Sequence, residues 1–134
     1  MARRLILDSG VLIGAERSVV ALNSVVAPDD DVTIAAISVA ELQAGVELAD
    51  ERHRDGRAAF LARVLELIPV DLYDLSIALA HAQLLAHVRS SGQLRGAHDL
   101  IIAATAIATR RTLITTDRAA KFDELPGVDC VTLT

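Results

Sequence analysis

A length of 134 residues suits one domain, and a composition that is 52% hydrophobic, with a mean hydropathy of +0.41, excludes a disordered chain. The single cysteine, Cys130, excludes an internal disulfide and suits a reducing, cytoplasmic setting. No apolar run approaches the ~18 residues of a membrane span, and Asp8 interrupts the opening run too early for a signal peptide. A net charge of −5 excludes a global basic footprint for nucleic acid, yet Arg89 to Lys121 carries six basic residues against two acids. A locally basic face that meets phosphates therefore stays open beside the plainer reading of solvated helix ends.

With only Phe60, Tyr73 and Phe122 as aromatics, the core has to be aliphatic. Arg4 to Leu7 reads as a short buried strand ending at Asp8. Val11 to Val26 is apolar at helical spacing, with Gly14 as a candidate break, and Pro28 with Asp29, Asp30 and Asp31 makes a polar turn. Val32 to Ile37 reads as the second strand. Ser38 and Glu41 then match the S-x-x-E capping box, which predicts a helix from Ser38 to about Leu48. The charged stretch Asp50 to Gly56 is expected to separate it from an amphipathic helix over Arg57 to Ile68, stopped by Pro69.

Val70 to Leu72 reads as a short strand, and Leu75 to Arg89 as a helix ending near Gly92. Ala97 to Thr109 is apolar on almost every face and predicts a helix buried on most sides. Thr112 to Thr116 is a strand ending at Asp117, and Pro126 and Gly127 turn the chain into a last strand, Val128 to Leu133. Strands alternating with helices predict an α/β fold with a parallel sheet and helices on both faces. In such sheets ligands sit beyond the carboxyl ends of the strands.

Three acids occupy that edge: Asp8 after the first strand, Glu41 one helical turn beyond the second, and Asp117 after the fourth. Asp99 stands near the N-terminus of the most apolar helix. Each has a plain structural role on offer. Asp8 and Asp117 can cap helices, Glu41 can close the capping box, and Asp99 suits the positive end of a helix dipole. Together they are harder to dismiss, because the fold brings them towards one edge. Converging carboxylates raise one another's pKa or recruit a cation, and an all-oxygen set suits Mg²⁺ or Mn²⁺. His53, His81, His87 and His98 lack zinc-type spacing and read as structural or surface residues, Cys130 reads as core, and there is no glycine-rich phosphate loop.

The stretches LILDSGVLI around Asp8, ISVAEL around Glu41, HDLIIAATA around Asp99 and LITTD around Asp117, with the closing FDELPGV, resemble PIN-domain ribonucleases. The likeness is strongest to the VapC-type toxins of bacterial toxin–antitoxin pairs, and it runs along the whole chain in order. It implies a PIN-like three-layer α/β/α domain over residues 1–134 and a Mg²⁺- or Mn²⁺-dependent endoribonuclease. Asp8, Glu41, Asp99 and Asp117 would form the acidic site, with Asp8, Asp99 and Asp117 on the metal and Glu41 on water or a second ion. Ser9 and Thr116 would support the site. A further acid that some relatives carry after the fourth is missing from Arg118 to Lys121. The implied reaction is in-line hydrolysis of an RNA phosphodiester by a metal-activated water, leaving a 5′-phosphate and a 3′-hydroxyl. Arg89, Arg95, Arg110, Arg111 and Lys121 are candidates for backbone contacts, and the scarcity of aromatics favours recognition of a structured RNA by shape and phosphates.

The resemblance also implies a homodimer and a cognate antitoxin. The apolar helices over Val11 to Val26 and Arg57 to Ile68 are candidates for a groove that takes a partner segment, against the alternative that they only build the core. Two other classes compete: a non-catalytic PIN-type domain that binds RNA or protein, and a Mg²⁺-binding receiver-like signalling domain. The receiver needs paired acids early and a lysine after a late strand; here Asp8 stands alone and Lys121 follows Asp117.

Overall fold

The computed structural model describes residues 2–18 and 20–133. Its frame is a five-stranded parallel sheet in the order β3-β2-β1-β4-β5. The strands are β1 (Arg4–Leu7), β2 (Asp31–Ala35), β3 (Val70–Asp71), β4 (Thr112–Thr115) and β5 (Cys130–Thr132). The helices are α1 (Ser9–Glu16), α2 (Leu22–Val25), α3 (Ala36–Leu48), α4 (Glu51–Leu67), α5 (Leu75–Ser91) and α6 (Ala97–Thr109). A 3-10 turn covers Phe122–Glu124.

Side chains alternate across the sheet and build a core on each face. Ile6 and Leu113 point to one side, where α5, α6 and Phe122 cover them. Leu5, Leu7, Ile34 and Ile114 point to the other, against Val11 and Leu12 of α1, Leu42 and Val46 of α3, and Leu61 and Val64 of α4. Helix α6 is buried through Leu100, Ile102, Ala103, Ala104, Thr105 and Ala106, as its apolar circumference predicts. Its small side chains let it lie close to both the sheet and α5.

The predicted helix over Val11 to Val26 is two helices; Val19, within that span, lies outside the described residues. Gly14 is not the break. Ser18 takes a left-handed φ of 58°, and the chain folds back so that Val20 N donates to Gly14 O at 3.0 Å. A Cβ on Gly14 would meet Val20 Cγ2 at 2.7 Å, so the glycine permits a close crossing.

Helix α3 opens at Ala36, two residues before the expected start, so Ser38 already lies inside it and no side chain caps the terminus. The capping box is therefore not formed. Helix α4 begins at Glu51 rather than Arg57, capped by Asp50, whose Oδ1 accepts from His53 N at 3.1 Å. The charged stretch is a solvent-facing helical turn, not a break. Helix α5 ends as expected at Gly92, whose φ of 70° suits glycine. The last strand is shorter than Val128 to Leu133, and β2 ends at Ala35 rather than Ile37.

Candidate active site

In the sheet order, β1 continues through its helix to β2 on one side, while β4 lies on the other. The chain therefore diverges on either side of the gap between the carboxyl ends of β1 and β4, the usual ligand position in open parallel sheets. Asp8 and Asp117 follow those two strands. Asp99 enters from the first turn of α6, and Glu41 from the second turn of α3.

Asp8 is buried and firmly held. It caps α1, with Oδ1 accepting from Ser9 N at 2.8 Å, and its Oδ2 accepts from Thr115 Oγ1 at 2.8 Å. Thr115 Oγ1 also accepts from Asp117 N at 3.0 Å, and Asp117 Oδ1 accepts from Ala120 N at 3.1 Å. One hydroxyl thus ties together the segments that carry two of the acids. The capping role foreseen for Asp8 is real and coexists with its place at the site, whereas no helix follows Asp117 and its carboxylate braces a turn instead.

Thr115, not Thr116, supplies that hydroxyl. Leu7 pairs with Ile114, so parallel register sets Asp8 beside Thr115, whereas Thr116 is exposed and its Oγ1 lies over Gly10. The register of the two strands was the signal that could have found it. Ser9 contributes its backbone N–H.

The charges of the four acids are coupled: Asp8 with Asp117, Asp99 and Glu41, and Asp99 with Asp117 and Glu41. Burial pushes the Asp8 carboxyl above its ordinary value; the hydrogen bonds from Thr115 and Ser9 oppose this, and the charge of Asp117 adds to it. Burial also raises Glu41, with Asp8 and Asp99 adding and His98 opposing. Asp99 is raised by burial, then by Asp8 and Asp117, with His98 again opposing. His98, read from sequence as structural or surface, is exposed, with its Nδ1 3.8 Å from Glu41 Oε2. An open depression of about 370 Å³ lies here, lined by Glu41, Gly96, Ala97, His98 and Asp99.

The acids meet at electrostatic rather than coordinating range. Among the described residues no three His, Cys, Asp or Glu side chains stand close enough to hold one ion. Mutual repulsion favours that spacing. The donor chemistry nevertheless fits a hard divalent cation. All four groups are carboxylates, and Glu41 Oε1 is sealed from solvent with no hydrogen-bond partner among the described residues.

The basic residues divide. Arg89 near the end of α5, Arg95 in the loop to α6, and Lys121 after Asp117 belong to the acidic end of the sheet. Arg110 and Arg111 precede β4 and stand at the opposite end. Arg111 as an RNA contact is corrected outright. Its side chain is 7% exposed, with Nη1 3.0 Å from Asp31 Oδ1 and Nε 3.5 Å from Asp71 Oδ2. It also donates to Asp31 O at 2.9 Å, so it crosses beneath the sheet and ties β2 and β3 to β4.

Two clefts flank α4. A small one of about 90 Å³ lies between α1, α3 and α4, lined by Ile13, Leu42 and Phe60 and reaching Glu41. A larger one of about 510 Å³ lies between α2 and the end of α4, lined by Leu22, Val26 and Ile68. No described helix is long and apolar enough to cross a membrane.

This arrangement is an α/β fold with acids gathered at its switch point, and the chain belongs to the PIN-domain family, whose model matches residues 5–128. Among solved structures it is similar to a chain of VapBC2 from Rickettsia felis bound to a promoter DNA fragment: 21% identity, 98% of this chain and 99% of that chain, TM-score 0.87. It is similar to a chain of VapBC-5 from Mycobacterium tuberculosis, of the VapBC family of toxin–antitoxin systems: 28% identity, 97% and 98% coverage, TM-score 0.78. It is also similar to a chain of DNA-bound VapBC from Salmonella typhimurium, with 21% identity, 98% coverage of both chains and a TM-score of 0.81. No curated protein matches the chain.

Proposed function

We propose that the protein is a VapC-type toxin: a Mg²⁺- or Mn²⁺-dependent endoribonuclease that a cognate antitoxin neutralises. The observation that supports this reading is the charge coupling of four carboxylates, from four separate segments, around the switch point of the sheet. A bound divalent cation supplies activation of water and offsets charge on the phosphoryl group in flight. Asp8, Asp99 and Asp117 would hold it, and Glu41 would orient the attacking water.

The chain's own residues do the rest. Thr115 and the Ser9 N–H fix Asp8, so the buried carboxylate needs little reorganisation when a cation arrives. The same threonine holds the turn that carries Asp117. Arg89, Arg95 and Lys121, at the acidic end, are the candidates for the RNA backbone. With three aromatics in the chain, extensive base stacking has little to work with, which favours a structured RNA read by shape.

The cleft between α1, α3 and α4 supports the antitoxin reading, since a partner segment seated there reaches Glu41. Exposed Leu72, Leu75 and Leu79, at and near the start of α5, support a homodimer that covers them.

The test is incubation of partner-free protein with total cellular RNA. Discrete fragments in Mg²⁺ or Mn²⁺ are expected, lost with EDTA and in both Asp8→Ala and Asp99→Ala. No fragments, or fragments that persist in both variants, move the reading to a PIN domain that binds without cutting.

A further inference from the structure

The fold gives no reason for a glycine at position 96. Gly96 is the cap residue at the start of α6, with φ −61° and ψ 141°, an extended backbone that any residue adopts. Serine, asparagine and aspartate stabilise such a position, because their side chains accept from the orphan N–H groups of the first turn. Here no side chain does so.

Asp99 occupies the space that a side chain at 96 would need. A Cβ on Gly96 would stand 3.0 Å from Asp99 Oδ2, 3.5 Å from its Cγ and 3.9 Å from its Cβ. Asp8 and Asp117 are held by hydrogen bonds, but among the described residues none holds the Asp99 carboxylate. Its placement therefore depends on the room left at Gly96. Both residues line the open depression that Glu41 and His98 help to form.

We infer that Gly96 is a positioning residue for Asp99: the missing side chain lets the carboxylate lie against the backbone just ahead of α6, in the depression it shares with Glu41. The inference rests on the cation-site reading above. Non-bonded heavy atoms settle at about 3.5–4.0 Å, so a side chain at 96 moves Oδ2 by a few tenths of an ångström. Metal–ligand distances tolerate only about 0.2 Å. Aspartate has only χ1 and χ2 with which to absorb the push, so its carboxylate shifts or turns.

The experiment takes Gly96→Ala, Asp99→Ala, the double variant and Gly56→Ala in the full chain, by melting in EDTA and by Mn²⁺ titration followed by electron paramagnetic resonance. Gly96→Ala is expected to weaken Mn²⁺ binding about tenfold. Alanine's weaker cap and its stiffer unfolded chain nearly offset each other, which leaves the contact with Asp99 to decide the melting shift. Gly96→Ala should therefore lower the melting temperature by about 2–4 °C with Asp99 present, and by less than about 1 °C in the Asp99→Ala background. Gly56 is exposed on α4, with nothing within 4 Å of a Cβ, so Gly56→Ala should melt higher and keep its Mn²⁺ affinity within about twofold. Unchanged Mn²⁺ affinity in Gly96→Ala, with wild type binding the ion, overturns the role of Gly96 and leaves the cation site standing. An equal melting shift in both backgrounds also overturns it, because the alanine then acts on the helix start and not through Asp99. If wild type binds no Mn²⁺, the cation site falls and the role of Gly96 falls with it.

Discussion

Asp99→Asn sets two electrostatic effects against each other, and their sizes decide the sign. Asp99 is coupled to the charges of Asp8 and Asp117, and Coulomb's law gives about 2 kcal/mol for any pair of like charges about 8 Å apart at an effective dielectric of about 20. Asp99 is half-buried, so solvent screening leaves about 2 kcal/mol for both pairs together. Against this, a carboxylate in the first turn of a helix gains about 0.3–1 kcal/mol from the helix dipole, and His98 attracts it further. Repulsion wins by about 1 kcal/mol. In EDTA at neutral pH the variant should therefore melt about 3–5 °C above wild type. A divalent cation reverses the order. At tenfold above its dissociation constant it adds about 1.4 kcal/mol to wild type, and the variant has lost a ligand. Paired thermal melts with EDTA and with Mg²⁺ read both halves. A variant that melts below wild type in EDTA refutes the repulsion argument and makes Asp99 a helix-end residue.

The raised carboxyls of Asp8, Glu41 and Asp99 keep protons in the native state that the unfolded chain has already released. Metal-free stability should then rise as pH falls from neutrality through their raised values towards about 4. Asp30, held down to about 2 by Arg3, acts in the opposite sense, its contribution draining as pH falls below about 4. Melts in EDTA are expected to peak in mild acid, and a steady decline from pH 7 to pH 5 contradicts the shifts. Thr115→Val removes the donor to Asp8 and the acceptor for Asp117 N, and should cost about 1–3 kcal/mol in denaturant titrations along with much of the cleavage. Thr116→Val should stay within about 0.5 kcal/mol. Arg111→Met leaves Asp31 paired with Arg4 and Asp71 with the Thr33 hydroxyl, so a loss of about 1–2 kcal/mol is expected, with the salt dependence of RNA cleavage unchanged.

What the sequence made legible follows from how local its signals are. Arg4–Leu7 and Ala97–Thr109 were readable to the residue, because one is a short apolar run closed by an acid and the other is apolar all round. The start of α4 was hidden because its first turns face solvent entirely, and apolar periodicity begins only at Phe60 and Leu61. Ser38 and Glu41 fit a capping pattern that the helix bypassed by starting at Ala36, where β2 ends beside the short edge strand β3. Asp8, Glu41 and Asp117 could be placed at one edge from strand order, while Asp99 depended on which end of the sheet α6 begins at. Thr115 needed the register of two strands far apart in sequence, His98 the approach of α3 to α6, and Arg111 its partners at positions 31 and 71. No local pattern carries those distances.

The chemistry of the cut ends tests the central claim most directly. Fragments from a partner-free digest in Mg²⁺ would be ligated and sequenced by methods that distinguish terminal groups. If the four carboxylates serve to activate water, every cut should leave a 5′-phosphate and a 3′-hydroxyl, and Asp8→Asn should abolish both. Ends that carry a 2′,3′-cyclic phosphate and a 5′-hydroxyl would contradict the account, since the nucleophile would then be the RNA's own 2′-hydroxyl.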